Sequence, residues 1–206
     1  MSNKKRRKRG RSSFTIILLI LAVSSFWAYN TLVEKPQENR ILQYKPLITN
    51  ELLKYKMDQF TPLLMAIMYQ ESKGKGNDPM QASESAGKQR NEINSPEKSI
   101  QQGVFHFHQM YLYGGKKKVD LDTIIQAYNM GPGYIDFVAE HGLKHTEALA
   151  KAYSELQVKK SPSTYKCGGN LGNFRYPYCF GDYTYTKKVK DSIPVVTKIM
   201  EKSMEI

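Results

Sequence analysis

Cysteine, acid at one end, and any sustained strand pattern are what this sequence most lacks. Only Cys167 and Cys179 occur among 206 residues, and their spacing carries no metal signature. Valine, isoleucine and threonine never alternate with polar residues for long, so no substantial sheet is expected. There is no phosphate-binding glycine loop, no Ser-His-Asp set and no Cys-His pair with a supporting frame. Nucleotide chemistry and triad hydrolysis are thereby set aside. The four histidines do not fill the gap. His106 and His108 are two apart and point to different faces of a predicted helix. His141 and His145 are interrupted by Gly142 and gain no third ligand. All four read as structural or surface residues, and no metal or cofactor is implied.

No acid precedes Glu34. Lys4, Lys5, Arg6, Arg7, Lys8, Arg9 and Arg11 supply seven of the net +12 charges, leaving +5 (12 − 7) for the remainder. An uncharged apolar run, Phe14 to Tyr29, follows at once. It explains the basic residues as a topology signal rather than as a nucleic-acid arm. At ~1.5 Å per residue the run reaches about 24 Å, and Ser12, Ser13, Asn30 and Thr31 extend it toward the ~30 Å of a hydrocarbon core. Phe26, Trp27 and Tyr29 cluster at its exit, where aromatic residues favour the interface.

The sequence therefore predicts four parts. Residues 1–13 form a basic cytoplasmic tail, 14–33 a transmembrane anchor, 34–47 a polar stalk containing Pro36 and Pro46, and 48–206 a globular domain outside the cell membrane. A signal peptide cleaved near Val23-Ser24-Ser25 is the alternative and would release the domain. Outside the membrane a disulfide between Cys167 and Cys179 is allowed, closing a Gly/Tyr/Pro-rich loop and stabilising it by about 3 kcal/mol. Two free thiols are the other reading.

Helical spacing dominates the globular part. Leu52, Leu53, Tyr55 and Met57 predict a first helix. Thr61 as N-cap and Pro62 in the first turn open a second, whose apolar face ends at Glu71-Ser72. A loop with Gly74, Gly76, Asp78 and Pro79 leads to Met80-Gln81. Ser95-Pro96 caps a further helix that Gly114-Gly115 should stop. Helices over 120–128, 134–141, 146–158 and 187–204 complete the pattern. The fold class is mostly α.

Glu71 is the informative residue. A carboxyl at the end of an apolar helix is desolvated, and desolvation raises its pKa. It can then hold a proton at neutral pH, which an ordinary glutamic acid near 4.3 rarely does. Set beside it are Met80-Gln81, Ser95-Pro96-Glu97-Lys98-Ser99-Ile100-Gln101-Gln102-Gly103, Ala127-Tyr128-Asn129-Met130-Gly131-Pro132-Gly133 and Tyr183-Thr184-Tyr185-Thr186-Lys187-Lys188-Val189. In this order and spacing, over residues 50 to 200, the chain resembles goose-type lysozymes and soluble lytic transglycosylases. It is most similar to the muramidase half of CwlT-like cell-wall hydrolases, above all over Glu71 to Ser85.

The resemblance implies a lysozyme-like helical domain acting on peptidoglycan glycan strands at the bond between N-acetylmuramic acid and N-acetylglucosamine, with Glu71 as general acid. It implies that Gln81 lies beside the acid, that Tyr128 packs near it, and that Asn129 orders its turn and faces substrate. A late tyrosine, Tyr183 or Tyr185, would line the cleft. Ser83 and Ser85 are expected to join Gln81, and Gly131 and Gly133 to let backbone approach sugar rings. Asp78, seven residues past Glu71, is the candidate second carboxylate that would activate water for inverting hydrolysis; Glu84 competes for that role. A plain loop cap is the structural reading of Asp78. Asp-Pro before Met80-Gln81 departs from the soluble transglycosylases. Lytic transglycosylation, forming 1,6-anhydro ends, is one alternative activity. A non-catalytic glycan-binding scaffold of cell-envelope machinery is another.

Overall fold

The computed structural model describes the backbone of residues 6–203 and the side chains of residues 16–29 and 37–203. The chain divides into two compact units, Met1–Arg40 and Ile41–Ile206. A single helix, α1 (Arg6–Leu42), carries the first. Its described apolar side chains are exposed, with Leu19 at 65% and Trp27 at 72%. Among the described residues no helix is long and apolar enough to cross a membrane. The ends of the predicted 14–33 span, like the whole 1–13 tail, lie outside the described side chains.

The second unit contains helices α2 (Lys45–Leu53), α3 (Thr61–Ser72), α4 (Pro96–Lys117), α5 (Leu121–Met130), α6 (Pro132–Glu140), α7 (Glu147–Lys160) and α8 (Tyr185–Lys202), with three short 3-10 turns between them. No strand occurs among the described residues. The fold is mostly α, as the missing alternation predicts. The unit begins at Ile41, ahead of the expected boundary at 48. Ile41 and Ile48 are both fully buried, so the last residues of the predicted stalk belong to the core.

α3 is the central element. Leu64, Met65, Ala66, Ile67 and Met68 are all fully buried, as expected of a helix apolar on every side. It packs chiefly against α8. Its start is shifted by one residue from the sequence reading. A 3-10 turn, Asp58–Phe60, runs directly into it, and the Thr61 hydroxyl donates to the Asp58 carbonyl at 2.8 Å instead of capping. Its end is sharp, because Lys73 adopts φ 56°, ψ 33° and its N–H bonds the Tyr69 carbonyl.

Three other caps agree with the residue types. Ser95, Asp120 and Thr146 each accept from the backbone N–H three residues on. The pair Gly114-Gly115 does not stop α4, which continues to Lys117. A Cβ on Gly114 would lie 2.6 Å from Ile124 Cγ1, so this glycine serves the close crossing of α4 and α5. The Pro194 inside α8 likewise does not end it.

Candidate active site

Glu71 stands in the last turn of α3 and lines a cleft of about 550 Å³. One side of the cleft comes from the loop after α3, through Gln81, Ser85 and Arg90. The other comes from the α5–α6 turn and from the segment that follows α7, through Asn129, Gly131, Arg175 and Phe180. That second segment is closed by a Cys167–Cys179 disulfide, with Cα atoms 5.0 Å apart. The Ser154 hydroxyl on α7 pins it by bonding both the N–H and the carbonyl of Phe180.

The Glu71 carboxyl receives one strong hydrogen bond. Tyr185, at the start of α8, donates its hydroxyl to Oε1 at 2.6 Å. Burial raises the Glu71 pKa from 4.5 to about 7, outweighing the Tyr185 hydrogen bond and the Arg90 charge, which both lower it. Asp78 and Asp182 push it further up by like-charge repulsion. A proton is therefore held there near neutral pH. Tyr185 is 2% exposed and its own pKa lies well above 10, first through burial and then through the Glu71 charge. It remains a donor. Of the two tyrosines left open by the sequence, Tyr185 meets the acid. It acts from behind it, as a support more than a cleft wall. Tyr183 instead donates to the Phe174 carbonyl.

Asp78 is placed otherwise than a water-activating base requires. It is 4% exposed and does not line the cleft. Oδ1 accepts from the Ala82 N–H at 2.9 Å and the Ser99 hydroxyl at 2.6 Å. Oδ2 accepts from the Ser83 N–H at 3.1 Å and the Ser83 hydroxyl at 2.6 Å. Burial pushes its pKa up, but hydrogen bonds from Ser83, Ser99 and Ala82 overcome this and hold it below 3.8. Four donors occupy the carboxylate, so it organises the loop. Ser83 is drawn into the same knot: it is 1% exposed and its hydroxyl also accepts from the Ile93 N–H. Ser83 thus faces the loop interior, away from substrate. Ser85 stays on the cleft, donating to the Ala82 carbonyl and accepting from Gln102.

The knot fixes the residues after it. Ser99 donates to Asp78 and accepts the Met80 N–H, tying the loop to α4. The Tyr128 hydroxyl donates to the Met80 carbonyl at 3.1 Å, tying it to α5. A Cβ on Gly103 would sit 2.7 Å from Met80 Cβ and 2.9 Å from Tyr128 Oη, which accounts for a glycine there. Gln81, at φ 47°, reaches the cleft. Its Nε2 donates to the Asp78 carbonyl and to Asn91 Oδ1, leaving its own carbonyl oxygen for a ligand. Tyr128 lies parallel to Tyr185 at 6.4 Å, placing both rings against the acid's surroundings.

Asn129 accepts the Asp182 N–H on Oδ1 at 2.7 Å, which leaves its NH2 to point elsewhere. Gly131 has φ 77°, ψ 175°, a conformation open almost only to glycine, and a Cβ there would meet nothing within 4 Å. It faces open cleft. Gly133 does not: a Cβ there would collide with the Tyr153 hydroxyl, so it serves packing against α7.

Three cleft residues escaped the sequence reading. His106 lines the cleft, and burial lowers its pKa. Its Nε2 donates to the Tyr128 carbonyl at 3.1 Å. Its place facing α5 depends on the α4–α5 crossing, which no local pattern reveals. Arg90 and Arg175 come from loops whose course is set at long range. Arg175 did carry a faint signal as the single cation between the two cysteines.

Comparison with known proteins identifies the family of the domain. The family model described as Lysozyme-like matches residues 38–193. An uncharacterized membrane protein, YocA, from Bacillus subtilis (strain 168) is 60% identical over 167 residues, covering 81% of this chain and 72% of that protein. Pneumococcal vaccine antigen A from Streptococcus pneumoniae serotype 4 is 33% identical, with 87% of this chain and 92% of the other covered. The bifunctional muramidase/DL-endopeptidase CwlT of Bacillus subtilis is 34% identical over 69% of this chain, which spans 43% of that longer protein. A Staphylococcus aureus crystal structure described as similar to a lipoprotein of the NLP/P60 family superposes with a TM-score of 0.64 at 32% identity. That match covers 75% of this chain and about half, 52%, of the staphylococcal one. By its helical fold, by the acid at the end of its central helix and by these matches, the chain belongs to the lysozyme-like family.

Proposed function

We propose that this protein cleaves peptidoglycan glycan strands at the β-1,4 bond between N-acetylmuramic acid and N-acetylglucosamine, with Glu71 as the general acid. The observation that carries the reading is a half-buried carboxyl opening on a cleft, its pKa raised to about 7. The leaving sugar oxygen takes that proton as the glycosidic bond breaks. Tyr185 orients the carboxyl from behind. The free carbonyl oxygen of Gln81, the amide of Asn129 and the open backbone at Gly131 face the cleft as sites for hydroxyl and acetamido groups. The muramidase named among the relatives supports the substrate class. The membrane part of the proposal is an anchor over 14–33 that holds the domain outside the cell. It rests on the apolar run and on a relative named as a membrane protein.

For the second half of the reaction, hydrolysis needs a base for water. Glu84 is the other carboxylate that lines the cleft. The engagement of Asp78 by four donors favours a second reading in which no base is needed for water: the muramic acid's own C6 hydroxyl attacks and Glu71, now ionised, takes its proton. The purified full chain acting on peptidoglycan, with mass spectrometry of the products, separates the two. Reducing muramic acid ends mean hydrolysis, and anhydro ends, lighter by one water, mean transglycosylation. Glu84→Gln should suppress only the former. Unchanged turnover by Glu71→Gln would remove both.

A further inference from the structure

The second unit uses lysine for its positive charge almost without exception. From Ile41 onward the sequence holds twenty lysines and two arginines, Arg90 and Arg175. Both arginines line the cleft and no lysine does. The two cations are not equivalent. Guanidinium presents a planar fork of donors that matches a carboxylate in two parallel hydrogen bonds, whereas ammonium is a point charge. Selective use of arginine at the Glu71 cleft points to a ligand with such a group.

Arg175 is the better placed of the two. Its Nη1 donates to the Gly181 carbonyl at 3.1 Å, which fixes the side chain across the disulfide-closed segment. Its Nε is buried and has no hydrogen-bond partner. Nη1 is taken and Nε is sealed off, so Nη2, which makes no hydrogen bond among the described residues, is the donor left for an acceptor in the cleft. Among the described residues no carboxylate forms a salt bridge with it. The nearby Asp182 is already engaged with Lys188 at 2.7 Å and with the Thr184 hydroxyl and N–H. Arg90, on the opposite loop, is exposed and acts on Glu71 through its charge. The remaining charge on the cleft is Glu84.

The geometry points to a carboxylate-binding subsite in the cleft, with Arg175 as the specificity-determining contact and Arg90 as electrostatic support from across the groove. On the proposed peptidoglycan reading, on which this inference rests, the glycan carries carboxylates on its muramic residues. They come either from the stem peptide or, where the stem has been removed, from the lactyl group itself. A neutral amino-sugar polymer has neither. The subsite would thus select the muramic-bearing strand and its ionised form.

The test uses the full chain in detergent and steady-state kinetics on four soluble glycan substrates: stem-bearing strands, strands stripped of stems, and each of these with its carboxylates converted to amides. The expected result is a KM about tenfold lower for a carboxylate strand than for its amide, the size of one charge-assisted hydrogen bond. Whichever pair shows the preference identifies the source of the carboxylate. Arg175→Gln should abolish the preference mainly through KM, and Arg175→Lys should restore only part of it. Thermal melting of each variant checks that the segment remains folded. Equal KM for both members of both pairs in the wild type overturns the inference, as does a preference that survives Arg175→Gln. If the wild type cleaves none of the four, it is the peptidoglycan reading that has failed, a separate outcome.

Discussion

Glu71 and Asp78 are seven residues apart, carry the same functional group and are both shielded from water, yet their protonation diverges. Glu71 takes one hydroxyl donor and is pushed up to about 7. Asp78 takes two hydroxyls and two backbone N–H groups and is held below its ordinary value. Burial works in the same direction on both. The number of donors supplied to the charged form is one difference between them, and the strength of the desolvation at Glu71 is another. Two environments therefore stand seven residues apart: a starved carboxyl at the end of α3 and a saturated carboxylate that holds the following loop in place. The first suits chemistry, the second architecture.

The strongest way to break this contrast is Glu71→Gln. Activity should fall about a hundred- to ten-thousand-fold, the usual range for a lost general acid. Stability should move the other way. Because the folded-state pKa is raised from 4.5 to about 7, the native protein binds the proton more tightly than the unfolded chain does between those values. The wild type therefore loses stability as pH rises through that window, by up to about 3 kcal/mol at pH 8. The neutral amide carries no such penalty. Denaturant melts should show the variant gaining on the wild type from pH 4 to pH 8, with little difference at the acid end. A pH-independent gap would mean that Glu71 is not desolvated as described.

Asp78→Asn sharpens the other half. The amide offers one acceptor oxygen where four donors converge, so the loop should lose about 2–3 kcal/mol. The sign with pH is opposite to that of Glu71. Since the Asp78 pKa is lowered on folding, its contribution is present above about pH 4 and disappears as pH falls through the folded value. Activity should drop only as far as the loop, and Gln81 with it, is disordered, and lower temperature should recover it. A melting temperature equal to the wild type combined with a large loss of hydrolysis would return Asp78 to the role of water-activating base.

The same contrast explains what could be read from the sequence. Glu71 was singled out by local chemistry, an apolar helix running into a glycine loop, whereas Tyr128 and Asn129 were singled out by the family resemblance that their Gly-Pro-Gly turn carries. The cap Ser95 was legible from local chemistry too. Asp78 was left between a water-activating base and a loop cap, and Ser83 was set beside Gln81, because their partners are distant. Ser99 lies twenty-one residues on from Asp78 and is brought to it only when the loop lies down on α4. A carboxylate in a polar loop looks the same in sequence whether its acceptors are empty or full. Arg90, His106 and Arg175 were not assigned to the cleft because their place on it depends on how loops and helices cross. The extra core residues from Ile41 onward were missed because prolines and polar neighbours there hide an apolar spacing of seven between Ile41 and Ile48.

The smallest effect tests the single donor that Glu71 does have. The Tyr185 hydroxyl stabilises the ionised carboxylate and so lowers the acid's pKa against the pull of burial. Tyr185→Phe removes the donor and keeps the ring that lies parallel to Tyr128. The Glu71 pKa should then rise above about 7, and the alkaline fall in kcat/KM should move to higher pH, by less than one pH unit. The maximal rate should decrease a few-fold, because the carboxyl is less well oriented. Starving the acid further would thus widen its working range while weakening its aim. A shift of the limb toward acid would show that Tyr185 does not donate to the carboxylate, and the contrast between one donor and four would lose its lower term.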